Sequence, residues 1–76
     1  MPTSKIIYLG DLRTSATHLQ SGEQIITDAP LDNNGRGEAF SPTDLAATSL
    51  GSCAMTIVGI VARRDEVDLS GSEISV

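Results

Sequence analysis

The residue type with the most distinctive chemistry in this chain is its single cysteine, Cys53, which lies within the uncharged run of residues 45–62. A cysteine thiolate can attack a peroxide oxygen or a disulfide sulfur, so Cys53 is a candidate nucleophile. A lone cysteine on a helix is also a small apolar residue that packs well in a protein core. The sequence by itself leaves both interpretations of Cys53 open.

A reactive thiolate needs a nearby positive charge, and the chain offers few. Cys53 would lie three turns into a predicted helix, beyond the first turn where the helix dipole acts. The activating cation must therefore come from elsewhere in the fold or from a partner chain. Arg13 in a predicted strand and Arg36 in a glycine-flanked loop are the two candidates.

The remaining polar residues predict no further site. His18 has no visible partner and is expected to be a solvent-facing strand residue. Asp28, Asp32, Glu38 and Asp44 are close in sequence, but without spaced His or Cys residues they indicate a solvated acidic loop and no metal site. The segment "GRGEAF" does not match a phosphate-binding loop or a dinucleotide fingerprint, so no cofactor is expected.

Composition excludes several classes of function. Ten acidic and five basic residues give a net charge of −5, which argues against nucleic acid or an anionic membrane as a ligand. One cysteine forms no intrachain disulfide and the N-terminus lacks a signal-peptide core, so we expect a cytoplasmic protein. The 76 residues are expected to form one domain, residues 1–76, whose core is thin unless a partner adds to it.

The N-terminal part of the chain has the pattern of three short strands. Residues 5–9, 12–19 and 23–28 are enriched in β-branched residues and are separated by turn residues. This pattern predicts an antiparallel three-stranded meander, with residues 20–22 as a hairpin connection. Residues 29–40, rich in Gly, Asn and Asp, are predicted to form a loop.

A strong helix start follows the loop. Ser41 is a suitable N-cap, Pro42 fits the first helical position, and Asp44 completes a capping box. The helix is predicted to span residues 42–63, with Arg63 and Arg64 at its negative end. Residues 69–76 have the pattern of a further strand, which makes the fold class α+β.

The predicted helix is apolar on every side. At 100° per residue one side carries Ala46, Leu50, Cys53, Ile57 and Ile60, and the other carries Thr48, Gly51, Met55, Val58 and Ala62. A helix without a charged face must be buried all round, and one small sheet covers only one side. We therefore expect a second copy of the chain, or the remainder of a larger domain, to pack on the helix near its small residues Ala47, Gly51 and Ala54.

A membrane span is the alternative explanation of the same run. Residues 45–62 are 18 uncharged residues followed by two arginines, which is a positive-inside pattern. The run also contains six Ser, Thr and Gly residues and begins with a capping box typical of soluble helices. We therefore expect a buried helix and no membrane contact.

The strand meander, the loop and the segment "SPTDLAATSLGSCAMTIVGIVARR" together resemble the N-terminal half of the OsmC/Ohr family, the osmotically inducible and organic-hydroperoxide-resistance proteins. The resemblance extends over essentially all 76 residues and rests on Ser-Pro, a polar pair, a small-residue helix and a cysteine. It implies an intertwined homodimer, or a higher homo-oligomer, in which two long central helices are wrapped by sheets from both chains.

The resemblance also implies a thiol peroxidase that reduces organic hydroperoxides in an oxidative or osmotic stress response. The peroxidatic cysteine of the family matches Cys53, and the activating arginine matches Arg13. The family glutamate that follows the proline aligns with Thr43, so its role would pass to Asp44 or Glu38. Residues 1–76 contain no second, resolving cysteine, so an external thiol or another chain would have to reduce oxidised Cys53, which would otherwise over-oxidise. The alternative function is a non-catalytic oligomeric scaffold or binding module in which Cys53 is core packing.

Overall fold

A computed structural model describes residues 2–76 and has the predicted α+β class, a three-stranded antiparallel sheet followed by one long helix. The elements are β1 (Ser4–Gly10), β2 (Arg13–His18), β3 (Gln24–Asp28), a short 3₁₀ turn (Leu31–Asn33) and α1 (Pro42–Arg64). The chain divides after Asp44 into an N-terminal unit and a C-terminal unit, Leu45–Val76.

The turn between β1 and β2 fixes where β2 begins. Asp11 and Leu12 both have positive φ, 53° and 63°, which is the pattern of a two-residue type I′ hairpin turn. The Leu12 N–H donates a hydrogen bond to the Tyr8 hydroxyl at 3.2 Å. Gly10 pairs with Arg13 across this turn. Arg13 is therefore the first residue of β2.

The second hairpin forms where the sequence predicts it. Gly22 has φ 79°, its N–H donates to the His18 carbonyl, and the His18 N–H donates to the Glu23 carbonyl, both at 2.8 Å. His18 is exposed, and its Nδ1 lies 2.6 Å from the Ser21 hydroxyl. The prediction that His18 faces solvent is confirmed.

The loop after β3 is held by its own main chain. The Gly35 N–H donates to the Pro30 carbonyl at 3.0 Å, and the Gly37 N–H donates to the Ala29 carbonyl at 3.2 Å. A Cβ atom on Gly35 would overlap the Ala29 main chain, so only glycine fits at this position. These main-chain contacts therefore fix the conformation of the loop between Ala29 and Gly37.

The predicted capping box starts α1. The Asp44 N–H donates to the Ser41 hydroxyl at 3.0 Å, and the Asp44 carboxylate accepts from the Ser41 N–H at 3.2 Å. The helix ends at Arg64, one residue beyond the predicted end. Glu66 then adopts φ 59°, and the Val67 N–H donates to the Ala62 carbonyl at 2.7 Å. Both predicted ends of the helix are thus close to those observed.

The helix α1 is largely exposed in the single chain. Ala62 is its one buried residue, while Leu50 is 74% exposed, Ile60 62% and Ile57 57%. Residues 45–76 leave these side chains exposed, and burial by a second copy of the chain or by the remainder of a larger domain stays a prediction. Apolar surface of this extent is unusual on a monomeric soluble protein and is typical of a surface that another element covers.

Two further features concern the C-terminal unit. By length and composition alone, α1 would be able to cross a membrane.

Residues 69–76, predicted to open a strand, are assigned to no strand among the described residues. A strand needs a neighbouring strand to pair with, and the Ser72 N–H instead donates to the Leu69 carbonyl at 3.0 Å in a local turn.

Candidate functional site

Arg13 and Glu38, both predicted from the sequence as site residues, lie together in the N-terminal unit. Arg13 Nη1 is 4.0 Å from Glu38 Oε2, and Arg36 Nη1 is 4.0 Å from Glu38 Oε1. The two arginines considered as activating cations therefore share one carboxylate. The Glu38 side chain is 54% exposed and both separations are long, so these ion pairs orient charge and contribute little stability.

Asp28, at the end of β3, hydrogen-bonds to the main chain of Glu38. The Glu38 N–H donates to Asp28 Oδ2 at 3.2 Å, and the Asp28 N–H donates to the Phe40 carbonyl at 3.0 Å. Asp28 is the last residue of β3 and lies directly opposite Arg13 in the β2–β3 register. Directly opposite residues of an antiparallel pair project from the same face of the sheet. Asp28 therefore joins the loop to the end of β3, at the position opposite Arg13.

The expectation of a solvated acidic loop is wrong for Asp28, which is fully buried at 0% exposure. Its Oδ2 bonds the Glu38 main chain, whereas its Oδ1 has no hydrogen-bond partner among residues 2–76. The sequence carried one usable signal for this residue, because Asp28 ends a predicted strand whose hairpin register places it beside Arg13. Asp32, by contrast, is exposed as expected.

Asp44 has a structural partner in the capping box. Its carboxylate accepts the Ser41 N–H, and its own N–H donates to the Ser41 hydroxyl. The neighbouring Thr43 hydroxyl lies 3.1 Å from the Ser41 hydroxyl. Thr43 also lines a cleft of about 370 Å³ in the N-terminal unit, together with Tyr8, Leu12, Thr14, Thr27, Ala29, Pro30, Asn33, Ser41 and Pro42. A catalytic role for Asp44 stays a prediction.

Cys53 lies on α1 in the C-terminal unit, and its thiol is free and exposed. One residue before it, the Ser52 carbonyl accepts a hydrogen bond from the Thr56 hydroxyl at 2.8 Å. Arg13, Glu38 and Asp44 belong to the other unit. The structure thus brings Arg13 and Glu38 together, and the association of Cys53 with Arg13 stays a prediction.

A second acidic feature lies beyond the helix. The Asp68 carboxylate accepts the Ser70 N–H at 3.0 Å, and this bond, with one from the Ser70 side chain, lowers the pKa of Asp68 below its ordinary value. The hydrogen bonds belong to a solvent-exposed local turn, and no group of three His, Cys, Asp or Glu residues within 2–76 has the arrangement of a metal site.

Comparison with solved structures reveals one close match. The chain is 66% identical, over its full length and with a TM-score of 0.97, to a protein from Psychrobacter arcticus 273-4 that its description calls an osmotic stress induced and detoxification response protein. The chain spans 56% of the length of that protein. No family model and no curated protein matches the chain. The similarity supports the resemblance to stress-response proteins of the OsmC type.

Proposed function

We propose that the chain is the N-terminal half of an OsmC-like fold and acts as a thiol-dependent peroxidase that reduces organic hydroperoxides through Cys53. The single observation that carries the proposal is the exposed, unpaired thiol of Cys53 on α1, at the position that matches the family cysteine. The 66% identity to a protein that is described as an osmotic stress induced and detoxification response protein supports a detoxifying function of this class.

The proposed reaction has two steps. The Cys53 thiolate attacks the terminal oxygen of the hydroperoxide, so a sulfur–oxygen bond forms and the oxygen–oxygen bond breaks. The alkoxide takes up a proton and leaves as an alcohol, and Cys53 is oxidised to a sulfenic acid. An external dithiol then reduces the sulfenic acid to the thiol, becomes a disulfide and releases water. The external dithiol supplies the two electrons and the protons that this second step needs.

Arg13 is the proposed activating cation. A guanidinium beside a thiol favours the thiolate, and it also stabilises the negative charge that develops on the leaving alkoxide. Glu38 would orient Arg13, because its carboxylate lies 4.0 Å from Arg13 Nη1. Of the two candidates for the role of the family glutamate, Glu38 is favoured by this contact, since the Asp44 carboxylate already accepts the Ser41 N–H.

The proposal includes a homodimer or higher homo-oligomer formed through α1, and a cytoplasmic location. The support for the oligomer is the exposed apolar surface of α1, where Leu50, Ile57 and Ile60 are each more than half exposed. A helix that is apolar on every side is buried in its folded protein, and a second copy of α1 would supply an apolar surface to cover it. The other chain could also supply the cation that approaches Cys53.

A sulfenic acid trap tests the first step. One equivalent of cumene hydroperoxide, added in the presence of dimedone, is expected to give a dimedone adduct on the peptide that contains Cys53. Hydrogen peroxide serves as the matched oxidant, and we expect slower adduct formation with it. Absence of any adduct on Cys53, under conditions in which dimedone labels a protein standard that forms a sulfenic acid, would contradict the proposal.

The second candidate is a non-catalytic oligomeric scaffold in which Cys53 is packing. It is favoured by the sequence position of Cys53 on the same helix side as Leu50 and Ile57, which a partner would cover. In that case Cys53→Ala leaves the oligomer intact, and the thiol of the folded oligomer reacts slowly with an alkylating reagent. Fast alkylation of the folded oligomer would exclude the scaffold.

A further inference from the structure

The loop after β3 contains an asparagine–glycine pair, Asn34–Gly35, with the asparagine exposed. Such a pair can deamidate without an enzyme. The Gly35 main-chain nitrogen loses its proton and attacks the side-chain carbonyl carbon of Asn34, so that a carbon–nitrogen bond forms and the side-chain amide leaves as ammonia. Water then opens the resulting succinimide ring to aspartate or isoaspartate. Glycine favours the attack, because it has no side chain beside the attacking nitrogen.

The folded loop holds the attacking nitrogen in place. The Gly35 N–H donates a hydrogen bond to the Pro30 carbonyl at 3.0 Å, so the proton that must be lost is already bound. Gly35 also lies directly against the Ala29 main chain, where a Cβ atom would overlap it. The Gly35 nitrogen can therefore approach the Asn34 side chain only if these contacts are broken.

The main-chain conformation of Asn34 also opposes ring closure. Asn34 has φ 69° and ψ 11°. At a ψ near zero the Gly35 nitrogen eclipses the main-chain nitrogen of Asn34, and it lies a third of a turn away from Cβ about the Cα–C bond. The five-membered ring requires that nitrogen on the side of Cβ, so the Cα–C bond must rotate. This rotation would carry Gly35 away from Pro30.

We propose that Asn34 is a site of spontaneous deamidation that reacts only when the loop between Ala29 and Gly37 opens. Water is the only co-reactant, and the reaction is independent of the proposed peroxidase function. Isoaspartate inserts one extra carbon into the main chain before Gly35, so the modified loop no longer fits against the Ala29 main chain. A transient opening of the loop is thereby converted into a permanent one.

The rate of deamidation in the folded and denatured full chain tests the proposal. Both samples are incubated at the same mildly alkaline pH and temperature, one in buffer and one in guanidinium chloride, and Asn34 is followed by peptide mass spectrometry. We expect conversion to be at least about tenfold slower in the folded chain, because the loop must open first. Asn33 is the internal control, since it is also exposed but is followed by a residue with a side chain. Equal rates in the two samples, or no conversion of Asn34 in denaturant, would overturn the proposal.

Gly37→Pro opens the loop without changing the Asn34–Gly35 pair. Proline lacks the N–H that Gly37 donates to the Ala29 carbonyl, and it cannot adopt the φ of 62° observed there. We expect deamidation of Asn34 in the folded variant to accelerate about tenfold, towards the rate of the denatured chain. Gly71→Pro, at an exposed glycine of φ 88° in the C-terminal unit, should leave the rate unchanged. An unchanged rate in folded Gly37→Pro would contradict control by the loop.

Hydrogen exchange on the unmodified chain covers the case in which Gly37→Pro fails to fold. Exchange of the Gly35 amide and deamidation of Asn34 require the same opening, so low concentrations of guanidinium chloride should accelerate both by the same factor. Faster deamidation without faster exchange of the Gly35 amide would show that the hydrogen bond to Pro30 does not protect the site, and the inference would be wrong.

Discussion

The end of the sheet and the long helix bury different kinds of residue. In the N-terminal unit the buried residues are polar, namely Thr27, Asp28 and Ser41, and each takes part in a hydrogen bond. In α1 the one buried residue is Ala62, and apolar side chains such as Ile57 are exposed. The N-terminal unit therefore buries polar residues that hydrogen-bond within it, with Asp28 Oδ1 left without a partner, whereas the helix leaves its apolar surface for other elements to cover.

The loop and the helix are stabilised by two different kinds of interaction. The loop after β3 depends on specific hydrogen bonds, such as the one that the Gly37 N–H donates to the Ala29 carbonyl at 3.2 Å. Adding or removing a single atom in this loop is therefore expected to change its stability. The helix depends on removing apolar area from water, which is a non-directional effect and requires a partner surface. Substitutions should therefore act through geometry in the loop and through association on the helix.

The largest effect is expected for Ile57→Asp on the exposed apolar side of α1. Placing an unpaired carboxylate in an apolar interface costs several kcal/mol, so the dissociation constant of the oligomer should rise by about a thousandfold or more. Sedimentation equilibrium over a range of protein concentrations measures this constant. Gln20→Asp, which adds the same charge at the exposed hairpin, should leave the oligomer mass unchanged. An oligomer of unchanged stability in Ile57→Asp would show that this side of α1 is not an interface.

A smaller but still large effect is expected for Gly35→Ala in the loop. The added Cβ would overlap the Ala29 main chain, which is not free to move because it is bonded to Gly37. We expect the free energy of unfolding to fall by about 3 kcal/mol, as for an overpacked site. Urea unfolding followed by circular dichroism measures the change.

Gly59→Ala is the matched control on the helix. No atom lies within 4 Å of a Cβ at Gly59 among the described residues, and alanine is the better helix former by about 1 kcal/mol. The same substitution should therefore stabilise α1 or leave it unchanged. If Gly35→Ala and Gly59→Ala lowered the free energy of unfolding equally, the proposed difference between the tightly packed loop and the exposed helix would be wrong.

The smallest effect is expected at the start of α1. Ser41→Ala removes the hydroxyl that accepts the Asp44 N–H, and loss of an N-cap costs about 1 kcal/mol. Ser49→Ala is the control, because the exposed Ser49 hydroxyl only donates to the Ala46 carbonyl within the helix. Thermal unfolding should show a lower midpoint for Ser41→Ala alone. Identical midpoints for the two variants would mean that the cap adds no stability.

Local sequence patterns predicted the elements of this fold because those elements depend on local chemistry. The β-branched runs and turn residues gave β1, β2 and β3 to within two residues at each end, and Ser41, Pro42 and Asp44 predicted the start of α1. The strand expected over 69–76 is absent from the described residues because a strand depends on a distant partner.

The polar site was predictable only in part. The sequence predicts Arg13 and Glu38 as site residues, and in the structure Arg13 Nη1 lies 4.0 Å from Glu38 Oε2. Asp28 was missed as a buried residue, because composition makes a carboxylate in an acidic segment look solvated. Its burial follows from the hairpin register, which places it opposite Arg13, and from the Glu38 N–H that binds it.

Hydroperoxide turnover by Cys53→Ser tests the central claim most directly. The wild-type chain with a dithiol such as dihydrolipoamide should consume cumene hydroperoxide catalytically, and Cys53→Ser should lose that activity to the uncatalysed rate while keeping the oligomer mass. A serine hydroxyl has the shape of the thiol, but it is not oxidised by hydroperoxide under these conditions. Unchanged dithiol-dependent turnover in Cys53→Ser would contradict the assignment of Cys53 as the peroxidatic thiol.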